Sequence, residues 1–164
     1  MAASMLYLLC ILLPVVSLAQ AAERGRPTPE APPSPTAKDK CPVCGMFVAK
    51  YPDWTTAILF KNGTHVFFDG AKDLFKYLHA MKRYDRAKRP EEIRTIMVKD
   101  YYRLSWIDAR TAWYVMGSDI YGPMGNELIP LQNEADAREF MTDHKGKIIL
   151  KFSDITVVVV QSLD

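Results

Sequence analysis

Residues 54–68 read Trp-Thr-Thr-Ala-Ile-Leu-Phe-Lys-Asn-Gly-Thr-His-Val-Phe-Phe, and this stretch decides the fold. The run from Trp54 to Lys61 is rich in β-branched and aromatic residues, which favour a strand. Asn62-Gly63 is a strong signal for a tight turn, and His65 to Phe68 is predicted to return as the second strand. The sequence therefore predicts an antiparallel hairpin here.

A helix is predicted directly after the hairpin. Asp69 is suited to cap a helix over residues 71–83. The apolar residues of that segment recur at helical spacing and predict its buried face: Leu74, Phe75, Leu78 and Met81. Two further strands are predicted after Pro90, at Ile93 to Val98 and at Tyr102 to Ile107.

The second half of the chain repeats this pattern of elements. Strands are predicted at Trp113–Met116, Glu127–Leu131, Lys147–Phe152 and Val157–Val160. A glycine-rich loop is predicted over residues 117–126, and a helix over residues 134–145 with Asn133 as its N-cap and Gly146 at its C′ position. Strand–turn–strand–helix–strand thus occurs twice. We expect an α+β fold of two related ββαβ units, mostly antiparallel strands with helices packed on them.

The amino terminus is typical of a signal peptide. Residues 6–18 form an apolar run too short to span a bilayer comfortably, and Ala19-Gln20-Ala21 follows as a cleavage site before Ala22. Residues 1–21 are therefore predicted to be removed from an exported, periplasmic protein, with an uncleaved anchor as the alternative. The formal net charge of +2 is too small to indicate a nucleic-acid partner.

The remaining chain is predicted to comprise a linker and one domain. Residues 22–40 contain five prolines and no apolar period, which is typical of an extended flexible linker. The domain is expected over residues 41–164, with its units at about 41–101 and 102–164.

Cys41-Pro42-Val43-Cys44-Gly45-Met46 opens this domain and carries its most distinctive chemistry. A structural zinc site is disfavoured because there is no second cysteine pair and the histidines lack ligand spacing. A thiol–disulfide oxidoreductase using Cys41 and Cys44 remains an alternative, although no strand precedes the pair and no helix is predicted to follow it. A plain interaction domain with incidental sulfurs is a third possibility.

Copper(I) fits the sulfur atoms of this stretch best. It accepts two or three thiolate and thioether ligands, which Cys44 and Met46 supply one residue apart. Met116 and Met124 lie in or beside the glycine-rich loop of the second unit, and Gly122-Pro123-Met124-Gly125 holds a methionine on a tight turn. These methionines are candidate ligands, because a residue on such a loop more often serves a function than fills a hydrophobic core.

Several motifs, in this order, resemble the NosL family of accessory proteins for nitrous oxide reductase maturation. They are Cys44-Gly45-Met46, Phe67-Phe68-Asp69-Gly70, Tyr114-Val115-Met116-Gly117-Ser118-Asp119, and the run from Gly122-Pro123-Met124-Gly125 to Ile129-Pro130. The resemblance covers roughly residues 41–152.

The resemblance implies a periplasmic Cu(I) metallochaperone, not an enzyme. It would deliver copper to the assembly machinery of the reductase, which includes an ABC-type transporter, and we expect a monomer that meets the membrane through partners. By position, Cys44 and Met46 match the family's metal-binding pair, and Met124 matches its Gly-Pro-Met-Gly methionine. Cys41 and Met116 are reserve ligands. Cys41 is an extra thiol that either adds a ligand or pairs with Cys44 in a disulfide, and a lipid-attachment signal typical of the family is missing.

Overall fold

A computed structural model describes residues 31–164. The predicted signal peptide, its cleavage site and residues 22–30 of the predicted linker lie outside the described residues. Within residues 31–164, no helix has the length and apolar character needed to cross a bilayer.

The first half of the chain forms a four-stranded antiparallel sheet. Its strands are β1 (Thr56–Phe60), β2 (His65–Phe68), β3 (Ile93–Lys99) and β4 (Trp106–Asp108), in the order β2-β1-β3-β4. The predicted hairpin is confirmed: Thr56 pairs with Phe68 and Leu59 with His65 around the Asn-Gly turn. All five residues of β1 are buried, which explains the apolar character of this central strand.

A second antiparallel sheet follows. Its strands are β5 (Trp113–Gly122), β6 (Gly125–Leu131) and β7 (Ile148–Lys151), in the order β6-β5-β7. Four α-helices complete the described chain: α1 (Ala71–His79), α2 (Met81–Tyr84), α3 (Glu134–Asp143) and α4 (Val157–Gln161). The predicted α+β class is confirmed, and the order of elements is consistent with two ββαβ units.

The two sheets share one main hydrophobic core. It contains residues of the first sheet such as Ile58 and Met97, of α1 such as Phe75, and of the second sheet such as Tyr114 and Leu128. A smaller cluster lies between α3 and the second sheet. Helix α1 contacts β1 and β2 of the first sheet and β6 of the second. The amino-terminal end of α1 is therefore placed where the two sheets meet.

The predicted loop over residues 117–126 is wrong. Strand β5 continues to Gly122 and pairs through Gly122 with Gly125, so that only Pro123 and Met124 form the turn of a long hairpin. The register is irregular between Met116 and Tyr121. Backbone pairing extends this hairpin through glycines and polar residues that lack the usual strand pattern.

The predicted strand Val157–Val160 is also wrong, because these residues form α4. The Thr156 side chain caps this helix by accepting a hydrogen bond from the Val159 backbone N–H. Val160 and Leu163 are buried, and α4 packs on α1. Packing on α1 outweighs the modest preference of valine for strands.

The helix over residues 71–83 is interrupted at Ala80, whose backbone leaves the helical region, so α1 and α2 are separate. Gly70, not Asp69, is the N-cap residue of α1, and it makes no side-chain cap. Asn133 is confirmed as the N-cap of α3, since its side chain accepts from the Asp136 N–H.

The prediction that Gly146 occupies the C′ position of α3 is off by one residue. Lys145 takes the left-handed conformation with φ of 55°, and Gly146 donates its N–H to the Met141 carbonyl at 2.8 Å. This is the Schellman arrangement, with glycine at the C″ position. Glycine is required there by close packing, because a Cβ on Gly146 would lie 2.4 Å from Val115.

Candidate metal centre

The Cys41–Met46 segment is a closed backbone turn. The Cys41 N–H donates to the Met46 carbonyl at 2.9 Å, and the Gly45 N–H donates to the Cys41 carbonyl at 2.9 Å. Lys40 and Phe47, the residues that flank this turn, pair in an isolated antiparallel β-bridge. Gly45 has φ of 81°, a left-handed conformation that glycine adopts without strain. The turn therefore places two cysteines and a methionine on one short loop, and both thiols are free.

Helix α1 presents two carboxylates to these thiols. Asp69 lies just before the helix and Asp73 lies in its first turn, four residues later and hence on the same side. The Cys44 thiol is 3.3 Å from Asp69 Oδ1, and the Cys41 thiol is 3.3 Å from Asp73 Oδ2. One ligand atom from each of the four residues lies within 4.8 Å of the others. The result is a compact cluster of two thiols and two carboxylates, which we call the thiol–carboxylate cluster.

Burial determines the protonation of this cluster. Cys41 is 1% exposed and Cys44 is partly buried. Burial raises the pKa of Cys41 far above its usual range and raises the pKa of Cys44 to about 12, and the Asp73 carboxylate adds to both shifts. Burial likewise raises the pKa of Asp73. The metal-free cluster therefore holds protonated thiols, which are poor nucleophiles, and a cation that replaced their protons would bind thiolates.

The hairpin of the second sheet supplies the other side of the centre. Cys44, Lys72, Asp73 and Met124 line one open cavity of about 550 Å³. Met124 stands at the tip of the β5–β6 hairpin and is 45% exposed. A thioether at that tip faces the same space as the Cys44 thiol. The structure thus brings together Cys44 and Met124, which lie 80 positions apart in the numbering of the chain.

Two buried charged residues fasten this hairpin to α1. Lys72 donates its ammonium group to the Met124 carbonyl at 2.9 Å and to the Leu163 carbonyl at 3.4 Å. The Glu127 carboxylate accepts from the backbone N–H of Lys72 and, at 2.8 Å, from that of Leu128. Glu127 thereby supplies the helix cap that Gly70 lacks, and a Cβ on Gly70 would lie 2.1 Å from Glu127 Oε2. Burial raises the pKa of Glu127 to about 8.

The other predicted sulfur ligands occupy different surroundings. Met46 is half-buried, and its carbonyl holds the Cys41–Met46 turn closed. Met116 lies in β5, is half-buried and packs against the main hydrophobic core. Cys41 is beside Cys44 in the thiol–carboxylate cluster. The structure therefore groups Cys41 with Cys44 and assigns Met116 a packing role.

Sequence reasoning missed the polar residues around the sulfur atoms. The sequence predicts Asp69 as a helix cap, and no motif in it marks Asp73, Lys72 or Glu127 as part of a site. The available signal is the four-residue spacing of Asp69 and Asp73, which puts one carboxylate just before the helix on the same side as the other in its first turn. Their proximity to the thiols depends on the tertiary fold, since 25 and 32 positions separate the hydrogen-bonded pairs.

Comparison with known proteins agrees with the fold. The sequence profile of the NosL family matches residues 32–160. The chain is 30% identical over 131 residues to the copper-binding lipoprotein NosL of Stutzerimonas stutzeri, covering 75% of this chain and 65% of that protein, slightly less than two thirds of its length. The crystal structure of the copper chaperone NosL from Shewanella denitrificans superposes with a TM-score of 0.64 and 25% identity, covering 79% of this chain and 98% of that one.

Proposed function

The chain belongs to the NosL family, and from that premise we propose that it is an exported, monomeric Cu(I) chaperone. The observation that carries the proposal is that Cys44, on the Cys41–Met46 turn, and Met124, at the tip of the β5–β6 hairpin, line the same open cavity. A relative and a structural neighbour named for copper binding support the choice of metal.

The ligand set that we propose is the Cys44 thiolate with the thioethers of Met46 and Met124. Thiolate and thioether are the ligands that Cu(I) prefers, and two or three of them suffice. Cys41 is a reserve ligand at the buried side of the cluster. Met116 is left out, because its packing against the core occupies its side chain.

An open, incompletely filled site suits transfer of the metal. Cys44 is only partly buried and Met124 is exposed on a hairpin tip, so a partner's ligand can reach a bound ion before these residues release it. We propose that the recipient is the machinery that assembles the copper centre of nitrous oxide reductase, including its ABC-type transporter, in the periplasm.

The alternative, a thiol–disulfide oxidoreductase, has less support. Such enzymes need a thiolate with a lowered pKa, commonly at a helix N-terminus. Here burial raises the pKa of Cys44 to about 12, and the residues that separate Cys44 from Cys41 form a turn.

A Cu(I) titration of the reduced protein against a competing chelator tests the proposal. We expect one tightly bound ion per chain. Cys44→Ala should abolish tight binding, and Met124→Leu should weaken it about 10- to 100-fold, the range typical when a partner in a metal site is removed. Met97→Leu changes a fully buried core methionine and is the matched control that should bind as the wild type does.

Two outcomes would overturn the proposal. One is the absence of tight, stoichiometric Cu(I) binding, and the other is tight binding that survives Cys44→Ala. Insulin reduction that requires both Cys41 and Cys44 would instead support the oxidoreductase.

A further inference from the structure

The thiol–carboxylate cluster contains two residues that the proposed Cu(I) site does not use. Asp69 and Asp73 are 1% and 3% exposed. Cu(I) is bound by soft sulfur ligands, and carboxylates suit harder cations. Two carboxylates buried at a sulfur site therefore need an explanation other than Cu(I).

The contacts of these carboxylates leave their negative charge poorly compensated. The side-chain donors that reach them are the two thiols, Cys44 for Asp69 and both Cys41 and Cys44 for Asp73, and a thiol is a weak donor. Lys76, whose charge also acts on Asp73, is hydrogen-bonded to Asp164. A buried carboxylate is costly unless a cation or strong hydrogen bonds accompany it. The cluster is thus arranged to receive positive charge.

The geometry of the cluster is close to that of a four-coordinate divalent ion. Tetrahedral zinc, with bonds of about 2.3 Å to sulfur and about 2.1 Å to oxygen, separates a sulfur ligand from an oxygen ligand by about 3.6 Å. The two thiol–carboxylate distances are both 3.3 Å. All four ligand atoms lie within 4.8 Å of one another. Small side-chain movements would close this set around one ion.

We propose that Cys41, Cys44, Asp69 and Asp73 form a binding site for a divalent transition-metal ion of the Zn²⁺ class. This site shares Cys44 with the proposed Cu(I) site, and in that respect it rests on the proposed function. The two sites differ in their other ligands, which are Cys41 and two carboxylates for the divalent ion and two thioethers for Cu(I). Because both sites use the Cys44 thiolate, we expect the two metals to compete for it.

Co²⁺ serves as the spectroscopic probe for this site. Added to the reduced protein without oxygen, it should bind at one ion per chain and show thiolate-to-cobalt charge transfer with the visible bands of tetrahedral Co²⁺. Zn²⁺ should bleach these bands, and one equivalent of Cu(I) should also remove them. A wild-type protein that binds neither Co²⁺ nor Zn²⁺ would overturn the proposal.

Two variants separate the two metals. Asp69→Asn with Asp73→Asn should lower Zn²⁺ affinity at least about tenfold without lowering Cu(I) affinity, because the loss of the two carboxylates makes the Cys44 thiolate easier to form. Met124→Leu should lower Cu(I) affinity and leave Zn²⁺ affinity unchanged. Cys41→Ser provides a second test should the double variant unfold, and it should reduce the charge-transfer intensity. If the carboxylate variants bind Zn²⁺ as the wild type does, Asp69 and Asp73 are only hydrogen-bond acceptors and the proposal is wrong.

Failure of the proposed function gives a different pattern. A protein that binds Co²⁺ and Zn²⁺ but not Cu(I) would contradict the chaperone proposal and leave the divalent site in place.

Discussion

The ammonium group of Lys72 lies 2.9 Å from the backbone carbonyl oxygen of Met124 and ties the tip of the second sheet's hairpin to the first turn of α1. The same helix turn carries Asp73. Asp69 is the residue directly before the N-cap residue, Gly70. One buried side chain thus fixes the backbone at Met124 relative to the helix turn that carries Asp73.

Replacement of this lysine should loosen the metal centre. Lys72→Met keeps the apolar stem but leaves the carbonyls of Met124 and Leu163 without their shared donor, so we expect a loss of about 1–3 kcal/mol in the free energy of unfolding. Cu(I) affinity should fall as well, because Met124 is no longer held over the cavity. Urea unfolding and Cu(I) competition measure the two effects.

Lys82→Met is the matched control, since Lys82 is exposed on α2. This control variant should change neither the free energy of unfolding nor the Cu(I) affinity. Equal Cu(I) affinity in Lys72→Met and the wild type would mean that the lysine stabilises the fold without positioning Met124.

Glu127 should make stability depend on pH. Burial raises the pKa of Glu127 from about 4.5 to about 8. Between these values the unfolded chain has released a proton that the folded chain keeps, so the free energy of unfolding falls as pH rises, by about 1.4 kcal/mol per pH unit from this group.

Glu127→Gln keeps an oxygen acceptor for the N–H groups of Lys72 and Leu128 but cannot ionise. As pH rises from 4.5 to 8, the wild type should therefore lose unfolding free energy through this group, whereas the variant should not. Chemical unfolding at several pH values gives the difference, and Glu139→Gln on the exposed side of α3 is the control. A constant difference across this range would show that Glu127 is ionised throughout.

The parts of the fold that follow from the sequence are those set by neighbouring residues. The Asn62-Gly63 turn and the apolar run before it determine the first hairpin, and Asn133 caps α3 through a residue three positions later. Val157–Val160 has a strand-like composition, but its packing on α1 makes it a helix, a contact that no local pattern shows.

The candidate site likewise contains residues that the sequence predicts and residues that only the tertiary fold reveals. Cys44, Met46 and Met124 stand out in the sequence because soft ligands on glycine-rich turns are unusual. Asp69 and Glu127 do not stand out, since a carboxylate before or outside a helix has many ordinary uses. Only the tertiary fold brings the thiols to Asp69 and places Glu127 at the end of α1.

The thiol of Cys44 should react slowly in the metal-free protein. With a pKa of about 12, few molecules carry the thiolate at pH 8. After allowance for the greater nucleophilicity of a more basic thiolate, alkylation should be about 100-fold slower than for a free cysteine. Iodoacetamide labelling, followed by fragmentation mass spectrometry of the peptide that carries both cysteines, distinguishes Cys44 from Cys41, and the same protein in urea is the control. Labelling in the native state as fast as in urea would show an exposed, ionised thiol.

Gly45 and Gly63 offer a matched pair of substitutions for the metal-binding turn. Their φ values are 81° and 82°, and a Cβ on either would meet no atom within 4 Å. Alanine in this left-handed conformation costs about 1–2 kcal/mol at each position, so Gly45→Ala and Gly63→Ala should destabilise the protein equally. Gly63 lies in the β1–β2 turn, whereas Gly45 separates Cys44 from Met46. Relief of strain at Gly45 redirects the two sulfur atoms, so only Gly45→Ala should weaken Cu(I) binding in the chelator competition. Equal Cu(I) affinity in the two variants would mean that the conformation of Gly45 does not set the geometry of the ligands beside it.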